Sequence, residues 1–330
     1  MELSLWSIAF LTGLFSGSVS VLIAFFIEKL GGRIGGVIGG SPTVVVVAMV
    51  GLYYATANME DDVDSEGRTM EPLRRAAFGI PMGTCMNSAM FFVWRAGILH
   101  YRNVGRVELR VVVYVALCAL AFWVTLTTLS VVFSQVVLIG LMGYDVAVPG
   151  LLFLALNLLS GLIQAFPLAR PSIPSSAQST PWILYICRFS FSFIVVGSCI
   201  IIAEIASPLL SGVISAFPAI FVTVTATTWY NSGADVILGA IGPLSLSVVS
   251  VALYGILSYY LFLSLGPILG SIIAYFAVTL LYNVPVAALL SLRKSMVYVN
   301  ENEIELEAVS EERCGGAEGD DHTDRIGEKG

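Results

Sequence analysis

The sequence predicts an all-α integral membrane protein of about nine transmembrane helices, in two four-helix repeats joined by a linker helix. Three observations carry that reading. The 330 residues are 57% hydrophobic and 12% charged, with a mean hydropathy of +0.88, whereas soluble domains carry roughly a quarter charged residues. Apolar runs long enough to cross a hydrocarbon core of about 30 Å, which takes roughly 20 helical residues, recur as far as Leu292. The stretch from Phe15 to Tyr54 also returns 176 positions later as Phe191 to Tyr230, without a gap. Fixed-period self-similarity in an apolar chain points to a duplicated membrane unit.

The repeat rests on ten identities in forty positions: Phe15/Phe191, Ser16/Ser192, Val19/Val195, Glu28/Glu204, Gly36/Gly212, Val37/Val213, Ile38/Ile214, Pro42/Pro218, Val46/Val222 and Tyr54/Tyr230. Apolar bias supplies some of these. It does not supply a Glu, a Gly and a Pro in fixed order.

In chain order the expected spans are Leu5 to Lys29, Gly35 to Ala57, Ala76 to Leu99, a long run from Val111 to Leu141, and Val146 to Phe166. A Pro/Ser-rich connector, Ala169 to Pro181, leads to Ile183 to Ala206, Leu209 to Tyr230, Val236 to Leu263 and Pro267 to Leu292. These runs are apolar on all sides, which suits helices and not the alternating strands of a barrel. The fourth run is too long for one upright helix and too short for two. It is either tilted or ends in a short interfacial piece, and a ten-span count is the alternative. The first repeat then occupies residues 1–145, the linker helix and connector 146–182, the second repeat 183–295, and an acidic, disordered tail 296–330.

Basic residues choose between the counts, because cytoplasmic loops carry the Lys/Arg excess. With nine spans one face collects Lys29, Arg33, Arg95, Arg102, Arg106, Arg110, Arg170, Arg188, Arg293 and Lys294. The other face keeps only Arg68, Arg74 and Arg75. The expected orientation is N-terminus outside and C-terminus cytoplasmic. An odd number of crossings between the copies makes the repeats inverted; ten spans would make them parallel. Pro81 against Pro243, and Val124-Thr125-Leu126 against Val278-Thr279-Leu280, extend the match into the later spans.

The second span of each copy carries the candidate binding site. The run from Gly31 to Gly40 precedes Ser41, Pro42 and Thr43. Gly costs about 1 kcal/mol in a helix interior and Pro removes an amide donor, so the run invites a break. Ser41 then reads as an N-cap and Pro42 as the first residue of a new half-helix. The amides at such a start favour an anion or a carboxylate. Small residues that only let helices pack closely are the competing reading. In the second copy Ala216 and Phe217 precede Pro218 with no capping hydroxyl, so a kink is the expectation there. Ser41, Pro42, Thr43, Pro218 and Asn87 are the expected substrate contacts.

Glu28 and Glu204, each at the end of a first span, are the expected ion-coupling residues, since a carboxylate inside a membrane can hold a cation or carry a proton. Glu28 next to Lys29 reads equally as a solvated pair. Arg95 and Arg188 are expected to snorkel to headgroups. Asn157, Gln164 and Asn283, with Thr223, Thr225, Thr227 and Thr228, either line an aqueous path or hydrogen-bond between helices.

Enzyme chemistry finds little support. His100 and His322 are the only histidines, and no metal pair or phosphate loop occurs, so neither a metal nor a cofactor is expected. The loop Glu60 to Gly67 starts like a calcium site, but counting from Asp62 its twelfth position is Leu73. The expected partners are the lipid bilayer and a small solute the sequence does not name, with a homo-oligomer compatible. The acidic tail argues against nucleic acid. The function these readings predict is secondary transport by alternating access of the two repeats, with a passive channel or a nontransporting scaffold as alternatives.

Overall fold

A computed structural model describes residues 4–30, 41–57, 70–102, 107–166 and 182–292, with the side chains of 23–30, Ala57, Leu184 and Ser232 excepted. The glycine run 31–40, the acidic loop 60–67, the connector and the tail lie outside the described residues, as does the side chain of Glu28. Among the described residues the only regular structure is helical.

The helices are α1 Leu5–Leu30, α2 Thr43–Ala57, α3 Glu71–His100, α4 Leu109–Val132, α5 Ala147–Ala165, α6 Trp182–Ile205, α7 Pro208–Ser215, α8 Ala219–Ser232, α9 Ala234–Ser247, α10 Val249–Leu265 and α11 Pro267–Val278. Helix α4 runs on without interruption into a π-helical stretch, Phe133–Leu141. The fourth apolar run is therefore one continuous rod. A π-helical stretch, Thr279–Asn283, also follows α11, and helix resumes over 284–292.

Eight of these segments are long and apolar enough to cross a bilayer: Leu5–Leu22, Glu71–His100, Leu109–Leu141, Ala147–Ala165, Tyr185–Ile205, Pro208–Asn231, Ala234–Leu265 and Pro267–Leu292. The chain is thus a multipass, helical integral membrane protein. The ninth expected span is represented by α2, whose 15 residues are too few to cross unaided.

Burial differs between segments in a pattern that occurs twice. Within an apolar 18-residue stretch of Glu71–His100, 83% of positions are buried, against 28% in the corresponding stretch of Leu109–Leu141; for Ala234–Leu265 the share is 78%, against 17% for Pro267–Leu292. Glu71–His100 and Ala234–Leu265 are central, and the segments that follow each of them, Leu109–Leu141 and Pro267–Leu292, are peripheral. One apolar cluster gathers Phe78, Trp94, Trp123 and Trp229 around α3, and another gathers Met49, Leu52, Tyr254 and Phe262 around α2 and α10. The helices up to Ala287 form one unit and the chain from Ala288 a second, whose described part is 288–292.

Helices α1 and α6 pack antiparallel through glycines. A Cβ on Gly13 would stand 2.7 Å from the Phe193 carbonyl, and one on Gly17 would stand 2.9 Å from that of Phe189. The 176-residue offset converts the first pair into the second, because Gly13 corresponds to Phe189 and Gly17 to Phe193. Reciprocal contacts of this kind are what a two-fold relation generates.

Candidate functional site

The two breaks expected around Pro42 and Pro218 share one backbone geometry. The Thr43 amide donates to the Ser41 carbonyl (2.8 Å) and the Val46 amide to the Pro42 carbonyl (2.9 Å). In the second copy the Ala219 amide donates to Phe217 (2.9 Å) and the Val222 amide to Pro218 (2.8 Å). A bond spanning two residues with Pro at the centre is an inverse γ-turn, which the fixed proline φ favours. Two expectations are corrected. Pro218 marks a full interruption between α7 and α8 in place of a kink, and the proline itself, not Ser41, sits at the cap of each half-helix.

No side-chain cap serves α8. Its early amides lack helical acceptors, because a helix start leaves the first turn of donors unmet. The carbonyls one turn back are already engaged: Phe217 O by the Ala219 amide, and Ala216 O by Asn87 Nδ2 at 2.8 Å. At α2 the Ser41 carbonyl is likewise taken, by the Thr43 amide.

Both helix starts open on one cavity of about 50 Å³. Its wall takes Ser41, Pro42, Thr43, Val44 and Val45 from the first break and Ser215, Ala216, Phe217, Ala219, Ile220 and Phe221 from the second. Asn87 of α3, Val251 of α10, and Ser192 and Val195 of α6 complete it. Of the expected substrate contacts, Ser41, Pro42, Thr43 and Asn87 meet here, and Pro218 lies between two lining residues. Thr43 Oγ1 leans on the Ser41 carbonyl at 3.5 Å and Ser215 Oγ donates to the Gly212 carbonyl at 2.7 Å.

Two side chains at the cavity hold polar atoms without a protein partner. Asn87 is 1% exposed and its Oδ1 accepts nothing; Ser192 is 2% exposed and its Oγ is unbonded. A buried polar group left in this state costs about 1–3 kcal/mol. Aromatic rings back the second break: Trp123 meets Phe217 edge-on at 5.2 Å and Phe91 meets Phe221 at 5.6 Å. Ser192 and these rings were not among the expected site residues. The serine had left a signal, as one of the few polar identities of the repeat.

Other polar residues sort differently. Arg188, expected to snorkel, is 2% exposed. It donates from Nε to Thr223 Oγ1 (3.3 Å) and from Nη2 to Thr227 Oγ1 (3.4 Å), one turn along α6 from Ser192. Asn157 and Gln164 of the linker helix serve interhelical bonds, since Ser88 Oγ donates to Asn157 Oδ1 and Gln164 Nε2 donates to the Ser88 carbonyl. Asn283 is buried with neither end of its amide bonded. Glu204 is exposed near the end of α6, twelve residues beyond Ser192, or about 18 Å at 1.5 Å per residue. The structure does not bring it to the cavity. Among the described residues no group of three His, Cys, Asp or Glu side chains could hold a metal.

A larger groove of about 780 Å³ lies between α1, α2 and α11, but its lining is mostly aliphatic, with Leu11, Val50 and Ile272. It offers a solute few polar contacts. Comparison with protein-family models, with curated proteins and with solved structures returned no match.

Proposed function

We propose that this multipass membrane protein is a secondary transporter of a small solute, with the 50 Å³ cavity between the two breaks as its solute site. The observation that carries the reading is the matched pair of proline turns opening on one cavity. Discontinuous helices meeting between repeats are a recurring way for transporters to hold a solute in the membrane. The reciprocal Gly13–Phe193 and Gly17–Phe189 contacts support inverted repeats, since parallel copies would not pair α1 and α6 head to tail. The uninterrupted rod from Leu109 to Leu141 supports nine spans over ten.

In this reading, rocking of one repeat bundle against the other exposes the cavity to each side in turn. The N-terminus lies outside and the C-terminus in the cytoplasm. The cavity accommodates only a few waters at roughly 10–15 Å³ each, which favours a small solute site over a wide standing pore.

Purified protein in liposomes tests the proposal. A transporter shows saturable counterflow, and with a coupled gradient it accumulates solute against its own gradient. A channel gives flux without accumulation. A scaffold gives no saturable flux of any solute.

A further inference from the structure

We infer that the cavity takes a small oxyanion of about four heavy atoms that carries its own hydroxyl, of which hydrogencarbonate is the simplest. The inference rests on reading this cavity as the solute site and names the class of solute. Size comes first. About 50 Å³ at roughly 10–15 Å³ per water gives room for three to five water-sized groups, which favours a small ion over sugars, aromatic acids and tricarboxylates.

Sign comes next. Both α2 and α8, of 15 and 14 residues, begin at the cavity, and each start presents unmet amides and a partial positive charge. Among the described residues lining it there is no carboxylate to offset them. A cation would face two repulsive helix ends. An anion would find the amides of Val44, Val45, Ile220 and Phe221 as donors.

The buried side chains set the rest of the pattern. Ser192 Oγ, 2% exposed and unbonded, adds a hydroxyl donor. Asn87 donates one amide hydrogen to the Ala216 carbonyl, which fixes its orientation and leaves Oδ1 as a bare acceptor. A fully deprotonated anion such as nitrate leaves that acceptor unmet. An anion bearing O–H satisfies it while its charged oxygens face the amides. A site built around such a group discriminates strongly against analogues lacking it.

The test uses the full chain in detergent at pH 8, with thermal unfolding followed at constant ionic strength in sodium hydrogencarbonate, nitrate, citrate or gluconate. Hydrogencarbonate should give a saturable rise in midpoint at lower concentration than nitrate, with citrate and gluconate flat. Ser192→Ala should weaken the apparent affinity about tenfold, the size of one hydrogen bond to a charged group. Asn87→Asp should abolish the response by placing a like charge at the anion. Should that variant fail to fold, Ser192→Ala still decides. An equal response in Ser192→Ala, a preference for nitrate, or a flat response to all small oxyanions overturns the inference. Flux separates it from the transport proposal. Hydrogencarbonate binding without flux sinks transport and keeps the site, whereas saturable flux of a cation or neutral solute by a protein that binds no oxyanion does the reverse.

Discussion

Asn87 of α3 donates its side-chain amide to the Ala216 carbonyl, 129 residues away, at 2.8 Å, and so ties the central helix to the break between α7 and α8. The carbonyl has no following helical turn to serve, because α7 has ended. Asn87 takes the place of the missing amide.

Replacing Asn87 by Leu keeps the volume close but strands a buried carbonyl. The expected loss is about 1–3 kcal/mol of stability. Thermal unfolding in detergent reads it as a lowered midpoint, and solute binding should fail at temperatures where the variant is still folded. An unchanged midpoint would show that the bond does not hold the break.

Helix α7 lies so close to α3 that a side chain cannot come between them. A Cβ on Gly212 would stand 1.9 Å from the Ala76 carbonyl, closer than any real contact. Overpacking usually costs about 1–3 kcal/mol, and here the obstacle is backbone, which cannot swing aside. Gly212→Ala should therefore reduce folded yield sharply. Gly197→Ala is the matched control, since its Cβ would meet only the Ala9 carbonyl at 3.3 Å. Equal yields from the two variants would contradict the close approach of α7 to α3.

Outside the spans, Asp145 accepts hydrogen bonds from Arg74 and from the Ala147 amide. The Arg74 guanidinium above all, then the amide, holds its carboxyl below the ordinary 3.8. A depressed folded-state value means the contribution is present at pH above 3.8 and disappears as pH falls through the folded-state value. Since Asp145 is half exposed, the contribution is no more than about 1 kcal/mol. Wild type should exceed Asp145→Asn in midpoint by a small margin at pH 7, and the margin should close under acid. A margin that widens below pH 4 would reverse the assignment.

Much of this was legible in the residues. Hydropathy marked the helices because a bilayer demands long apolar segments, and the paired prolines marked both breaks because proline limits the backbone in any context. The second break looked like a mere kink because it lacks a capping hydroxyl. A γ-turn around Pro218 makes the hydroxyl unnecessary. Arg188 misled for another reason. It lies six residues into α6, where sequence position suits snorkelling equally well, and only the arrangement of α8 shows that Thr223 and Thr227, one turn apart, face it. Glu204 matched Glu28 in the repeat, yet position along a helix does not fix which way a side chain faces, and it lies exposed.

The proposed inverted arrangement makes the sharpest remaining prediction, because it assigns sides to residues at opposite ends of one helix. Arg74, near the start of α3, meets Asp145, whereas Arg102, just past its end, meets Asp235 at 3.0 Å. A helix of 30 residues is about 45 Å long, so the two ion pairs must lie on opposite membrane faces. In the proposed orientation, which follows the Lys/Arg asymmetry, Asp145 lies at the external face and Asp235 at the cytoplasmic one. In a background with the five native cysteines replaced, Asp145→Cys on intact cells should react with a membrane-impermeant maleimide, and Asp235→Cys only after permeabilisation. Glu204→Cys, at the end of α6, should react from the same side as Asp145→Cys, because two crossings, α5 and α6, lie between the two positions. Labelling of Asp235→Cys on intact cells with protection of Asp145→Cys would invert the orientation but keep the repeat relation. Labelling of Glu204→Cys from the side opposite Asp145→Cys would instead require a further crossing between them, make the repeats parallel and remove the two-fold relation from the proposed transport cycle.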